Sequence, residues 1–311
     1  MRAFIFPGQG SQAVGMGKAL AEASPVAREV FQEVDDALGQ HLYRLMTEGP
    51  AEELLLTENS QAAIMANAIA TLRVLEREGN VRLADKAEYV AGHSLGEYTA
   101  LCAAGALDVA TTARLLKLRG LAMQAAVPVG EGAMAALLGA DLDKARAISE
   151  AASEGEVCTV ANDNDPSQVV LSGAKGAIDR VIAIAKGHGA KKAVLLPVSA
   201  PFHCPLMQPA ADAMEKALAD ARIEAPLVPV FANVTAAAVG DPDTIRRLLV
   251  EQVTGMVRWR ESVLVMADAG VDQFVEFGAK VLTGMVKRIA PDAATVSVVS
   301  MDDIEALLKT L

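Results

Sequence analysis

The short apolar run Glu88-Tyr89-Val90-Ala91 leads without a spacer into Gly92-His93-Ser94-Leu95-Gly96, and an alanine- and leucine-rich stretch follows. A strand that feeds a helix through Gly-x-Ser-x-Gly leaves the chain little freedom. The turn must be sharp, and small flanking residues let neighbouring segments approach it. The serine hydroxyl is then exposed at the sheet edge. The amide of Leu95, at the helix N-terminus, points toward any oxyanion that develops there. A tight glycine turn with an N-capping serine is the alternative reading of the same five residues.

The rest of the chain continues the alternation. Ala3-Phe4-Ile5-Phe6 reads as a buried strand ended by Pro7-Gly8. Residues 60–78 place Ile64, Ala68, Leu72 and Leu75 on one helical face. Asp108 is an N-cap for a helix that runs through about Ala126. The expected fold class is α/β: an α/β-hydrolase-like core whose parallel sheet is covered on both faces. Pro128-Val129-Gly130-Glu131-Gly132 reads as a linker, and the pattern changes after it. A strand (133–138), a helix (142–152), two strands (157–161 and 168–171), a helix (174–186) and a strand (193–197) make β-α-β-β-α-β. That order is a ferredoxin-like unit. The expected organisation is a discontinuous large catalytic subdomain, 1–127 and 198–311, with a small ferredoxin-like subdomain, 128–197, inserted.

Charge and composition narrow the setting. A net charge of −11 gains no counterion-release energy from nucleic acid, so none is expected as a partner. No uninterrupted run of 18 apolar residues occurs, so no membrane span is expected. The apolar run at residues 3–6 is too short for the core of a signal peptide. Cys102, Cys158 and Cys204 are odd in number and lack zinc-type spacing. They indicate a reducing, cytoplasmic setting with no disulfide framework and no metal site.

A serine nucleophile needs a base, and the chain has four histidines. His93 adjoins Ser94, where strand geometry turns its side chain away. His41 lies between helical segments, and His188 between Gly187 and Gly189 reads as decoration of a helix end. His203 lies in Ala200-Pro201-Phe202-His203-Cys204-Pro205, a loop stiffened by its prolines. By elimination His203 is the candidate base, and the fold must bring it to Ser94. Cys204 has no motif around it and reads as a small buried hydrophobe.

Arg119 has Leu115, Leu116, Ala122 and Met123 at three and four positions along its helix. All are apolar, so Arg119 projects from the buried face. A buried guanidinium needs an anion, supplied by an internal Asp or Glu or by a substrate. Spacing alone favours the internal partner, because buried charges are usually paired within the protein.

Phe6-Pro7-Gly8-Gln9-Gly10-Ser11-Gln12, Gly92-His93-Ser94-Leu95-Gly96-Glu97-Tyr98, Leu118-Arg119-Gly120 and Pro201-Phe202-His203 occur in that order. As an ordered set across nearly the whole chain they resemble the malonyl-CoA:acyl carrier protein transacylases, a family that includes the acyltransferase domains of fatty-acid and polyketide synthases. The resemblance implies Ser94 as nucleophile, His203 as base, and an oxyanion hole from the backbone amides of Gln9 and Leu95. It implies that Arg119 grips the free carboxylate of a malonyl group in a bidentate pair. It also implies that a backbone carbonyl orients the histidine, and Gln252 matches that position. Asn162 matches a family position near the cleft, with a turn-forming Asn as the alternative. In related polyketide acyltransferases the form seen here at Ala200-Pro201-Phe202-His203 goes with malonyl; a ring at Phe202 leaves no room for an added methyl. Met256 and Ala62 stand where the family often has proline.

The implied activity is ping-pong transfer from malonyl-CoA to the phosphopantetheine thiol of acyl carrier protein, for fatty-acid biosynthesis, without a metal or organic cofactor. A serine hydrolase or thioesterase and a non-catalytic carrier-binding subunit are the competing readings. Carrier proteins of this family are acidic, as this chain is. Docking is therefore expected to use a local basic patch, with Lys191-Lys192, Arg246-Arg247, Arg258, Arg260, Lys287 and Arg288 as candidates.

Overall fold

The computed structural model describes residues 1–311. Ten strands form: β1 (Arg2–Phe6), β2 (Tyr89–Gly92), β3 (Gly132–Leu138), β4 (Cys158–Asp165), β5 (Gln168–Ala174), β6 (Lys192–Leu195), β7 (Val230–Ala232), β8 (Ala237–Val239), β9 (Gln273–Phe277) and β10 (Ala294–Val298). Six of them make one sheet in the order β10-β9-β1-β2-β7-β8. Every pairing from β10 to β7 is parallel, and only the edge strand β8 runs antiparallel.

β1 shows why this sheet needs two covered faces. Its side chains alternate with period two. Phe4 and Phe6 point into the larger core, where both rings meet Phe277 at 4.9 and 5.9 Å between centroids. Ala3 and Ile5 point the other way, into a core built on Trp259, Val263 and Phe274. A strand buried on both faces reads as a continuous apolar run, as this one does.

The helix Thr57–Glu78 corrects an expectation. A single apolar face was expected, yet Asn59, Ser60, Gln61 and Asn67 are buried along with the aliphatic residues. The helix is enclosed by neighbours on all sides, and its many alanines allow that close approach.

The other four strands form a separate antiparallel sheet in the order β4-β5-β3-β6. Ala133, Ala135 and Leu137 of β3 face the helices Leu142–Ser153 and Lys175–Ile184 and close a core of their own. The alternate residues Met134 and Ala136 join the main core. β4 runs four residues past the expected end at 161, because the polar stretch Asn162-Asp163-Asn164-Asp165 continues the pairing with β5. Its carboxylates are buried against the larger body: Asp163 meets Arg260 at 2.9 Å and Asp165 meets Arg288 at 2.8 Å. Asn162 therefore lies in a strand, where its backbone bridges to Val257.

Two glycine-rich turns meet at the carboxyl ends of β1 and β2. Phe6 pairs with Gly92 in register, and the His93 amide donates to the Phe6 carbonyl at 3.1 Å. The contact is as close as backbone allows. A Cβ on Gly96 would stand 2.3 Å from the Phe6 oxygen, and one on Gly92 only 1.9 Å from the Gly96 carbonyl. Gly92→Ala is accordingly expected to cost about 3 kcal/mol or more, since neither backbone can retreat from a packed core. Denaturant unfolding should show it as a lower midpoint with an unchanged slope; an unchanged midpoint would mean that the turn yields.

Candidate active site

Ser94 sits between β2 and the helix Leu95–Ala103 with φ 55° and ψ −112°. Positive φ is strained for a residue with a Cβ and persists only where surroundings impose it. Here both ends of the residue are held. Its amide donates to Asn233 Oδ1 at 2.8 Å, and its carbonyl accepts from Gln252 Nε2 at 2.9 Å.

His203, 109 residues away in sequence, lies 2.8 Å from the Ser94 hydroxyl through Nε2. Its Nδ1 faces the carbonyls of Gln252 at 2.9 Å and Gly255 at 3.1 Å. Both are acceptors, so Nδ1 carries the proton and Nε2 offers its lone pair to the serine. Burial, reinforced by the Arg119 charge, pulls the imidazole down to about 3. It is neutral near pH 7, the form a base requires.

Arg119 is 1% exposed. It donates to Gln61 Oε1 at 2.8 Å, to Gln252 Oε1 at 2.8 Å and to Ser94 Oγ at 3.1 Å, and its guanidinium lies 5.6 Å from the Tyr98 ring centre. Its Nε has no partner. No Asp or Glu pairs with it. The internal carboxylate expected from spacing is absent, and neutral carbonyls and a hydroxyl take its place. A buried guanidinium held this way has capacity left for an anion.

These groups share one cleft of about 410 Å³, lined among others by Gln9, Leu95, Asn162 and Phe202. Gln9 and Leu95 lie on the two glycine-rich turns. The Gln9 amide donates to no protein acceptor, and the Leu95 amide is the first of its helix. Leu196, Val198, Met123 and Met134 make the apolar wall. The arrangement sets a serine hydroxyl within hydrogen-bond reach of a neutral imidazole and a buried guanidinium in one cleft, with two amides on its lining residues that no protein acceptor uses.

The remaining candidates fall elsewhere. His93 turns to Asn164 Oδ1 at 2.8 Å instead of to Ser94, and burial lowers its pKa. Cys204 is buried with its thiol on the Pro201 carbonyl and its pKa raised by burial, which suits an inert thiol. Most of the expected basic patch is occupied within the protein. Arg247 pairs with Glu251, Arg258 with Glu261, Arg260 with Asp163 and Arg288 with Asp165. Arg246 donates to the carbonyls of Leu218 and Ala221. Lys191, Lys192 and Lys287 remain exposed and unpaired.

Sequence reasoning gave no role to Gln61, Glu97 or Asn233, nor to the side chain of Gln252. Glu97 stood inside a quoted motif; nothing in local sequence marked the other side chains.

Comparison with known proteins agrees with this geometry. A family model described as acyl transferase domain matches residues 3–299. The chain is 46% identical to the malonyl CoA-acyl carrier protein transacylase of Escherichia coli strain K12, over 95% of this chain and 94% of that protein. It superposes on the acyl-carrier-protein S-malonyltransferase of Bartonella henselae with a TM-score of 0.97 and 51% identity, covering 99% of this chain and 98% of that one. It also superposes on a malonyl-transacylase solved in complex with its type II PKS acyl-carrier protein, with a TM-score of 0.96 and 39% identity, covering 100% and 99%. With its serine elbow, paired histidine and unpaired buried arginine set on this fold, the chain belongs to the acyltransferase family.

Proposed function

We propose that the protein transfers a malonyl group from malonyl-CoA to the phosphopantetheine thiol of an acyl carrier protein, supplying fatty-acid biosynthesis in the cytoplasm. The observation that carries this reading is a buried Arg119, without a carboxylate partner, within 3.1 Å of a serine that is itself 2.8 Å from a neutral histidine. A donor with a free carboxylate beside its reacting carbonyl fits both groups at once. The names of the relatives support the same donor and acceptor.

In this reading His203 Nε2 takes the Ser94 proton as Oγ attacks the thioester carbonyl. The backbone amides of Gln9 and Leu95 receive the oxyanion; removal of one such donor typically costs about 3 kcal/mol of barrier. The tetrahedral intermediate collapses, the C–S bond breaks, and the CoA sulfur leaves with the proton from His203. The carrier thiol then gives its proton to His203, attacks malonyl-Ser94, and leaves as the malonyl thioester while Ser94 recovers its proton. The Gln252 carbonyl keeps the imidazole oriented. Arg119 holds the malonyl carboxylate, Phe202 limits room beside it, and Asn162 lines the approach.

The finer fold assignment belongs to the same proposal. The order β4-β5-β3-β6 supports a ferredoxin-like subdomain over 128–197. The parallel sheet with the serine at the carboxyl end of β2 supports an α/β-hydrolase-like core made from 1–127 and 198–311. No helix is long and apolar enough to cross a membrane.

The test is direct. Protein mixed with malonyl-CoA without carrier, quenched quickly and weighed, should gain one malonyl group on Ser94 that added holo-carrier removes. Steady release of malonate with no adduct would favour a hydrolase. No adduct and no turnover would favour a carrier-binding protein without chemistry.

A further inference from the structure

Glu97 is a buried carboxylate that touches no cation. Its Oε2 accepts from Gln252 Nε2 at 2.8 Å and from the Asn233 amide at 3.1 Å. The other end of the same Gln252 carboxamide accepts from Arg119 at 2.8 Å. Carboxylate, amide and guanidinium thus stand in series, with one neutral group between two opposite charges. The direction of that amide is fixed. Gln252 Nε2 faces Glu97, the Ser94 carbonyl and Asn233 Oδ1, all acceptors. Asn233 in turn is fixed by its Nδ2, which donates to the Gly92 carbonyl at 2.7 Å. Gln252 can therefore offer Arg119 only its oxygen. The groups that act electrostatically on this carboxylate are Arg119 across Gln252 and Tyr98 beside it on its own helix; His203 lies on the far side of the Gln252 backbone.

We propose that Glu97 is a positioning residue that moderates the hold of Arg119 on the donor carboxylate, supplying a counter-charge one amide removed so that the malonyl group is held for transfer and still let go. The inference rests on the malonyl-transfer reading above. A direct Glu97–Arg119 ion pair would occupy the guanidinium edge that a substrate carboxylate needs. With no counter-charge, the buried cation would bind donor, acyl-enzyme and product alike too tightly. Such uniform binding lowers KM without raising turnover.

The test uses Glu97→Gln, which keeps the shape and an acceptor oxygen and removes the charge. KM is measured for malonyl-CoA and acetyl-CoA on the same preparation. The malonyl-to-acetyl KM ratio is expected to fall on the order of tenfold, with no gain in kcat, from loss of a like charge several ångströms from the bound carboxylate. A purely structural role moves both donors together and leaves the ratio alone. The unmodified protein supplies an independent reading if the variant does not fold. Burial holds the Glu97 carboxyl up at about 7, so the ratio should fall as the pH is lowered from about 8 to about 6 and the opposing charge is lost. Glu97→Gln should flatten that dependence. A ratio that stays constant or moves upward overturns the proposal. If the unmodified protein never acquires a malonyl group on Ser94, the malonyl-transfer reading fails first, and the two failures are told apart by that adduct.

Discussion

His203→Ala is expected to slow malonyl transfer by roughly 10³- to 10⁶-fold. Its Nε2 is the one acceptor that meets the Ser94 hydroxyl, at 2.8 Å. Two backbone carbonyls, not a carboxylate, hold its other nitrogen. In the proposed reaction the imidazolium formed during attack would meet only carbonyl dipoles at Nδ1. The variant should still fold and should take up no malonyl group in a rapid-quench experiment; an adduct formed at the normal rate would remove His203 from the reaction. The same geometry sets a pH expectation. Burial and the Arg119 charge hold the imidazole at about 3, below its unfolded value of 6.5. The rate at which a neutral fluorophosphonate labels Ser94 should then keep its plateau as pH falls through 6.5. A decline centred there would mean an exposed imidazole. The linked effect on stability has a definite sign: the unfolded chain binds this proton first. The contribution of His203 is complete above 6.5 and is lost as the pH falls from 6.5 toward 3.

What was legible in the sequence follows from how local each cause is. The turn at Ser94 depends on Gly92 and Gly96, whose missing Cβ atoms are required by contacts within a few residues of the motif and with Phe6. The helix start at Asp108 is legible because the cap bond to the Thr111 amide spans three residues. Read from sequence, strand β4 ends at 161 because Asn162 to Asp165 look like a turn, while the strand itself reaches Asp165. Their pairing is stabilised by Arg260 and Arg288, about a hundred residues further on, which no local pattern records. The same two pairs show that Arg260 and Arg288, expected in a basic docking patch, also hold the small sheet to the large body. Spacing alone points Arg119 to an internal carboxylate that the structure does not hold, for a related reason. Apolar neighbours at three and four positions show that a side chain is buried, but not what it meets. Gln61 and Gln252 arrive from two other helices, and a glutamine carries no sequence signal of facing a cation. The family resemblance points to Gln252 only through its carbonyl, while its side chain ties Ser94, Glu97 and Arg119 together.

Arg119→Ala should separate donor recognition from the chemistry of Ser94. Malonyl transfer is expected to fall by roughly 10²- to 10³-fold more than acetyl transfer, the loss typical of one side of a buried charge pair. Some loss on acetyl is also expected, about tenfold or less, because Arg119 donates to Ser94 Oγ and steadies it. The variant leaves Gln61 Oε1 and Gln252 Oε1 facing a void and removes the cation nearest Glu97. A general collapse of the site would lower both donors alike, and equal losses would overturn the assignment of Arg119 to the carboxylate. Chemical rescue distinguishes the two further. The void is lined by oxygens placed to accept N–H bonds, so added guanidinium ion should settle where the side chain was. It should restore part of the malonyl rate while leaving the acetyl rate nearly unchanged, because only malonyl presents an anion to it. Rescue of both rates in parallel would instead mean that the arginine serves mainly to hold Gln252 and the serine in place.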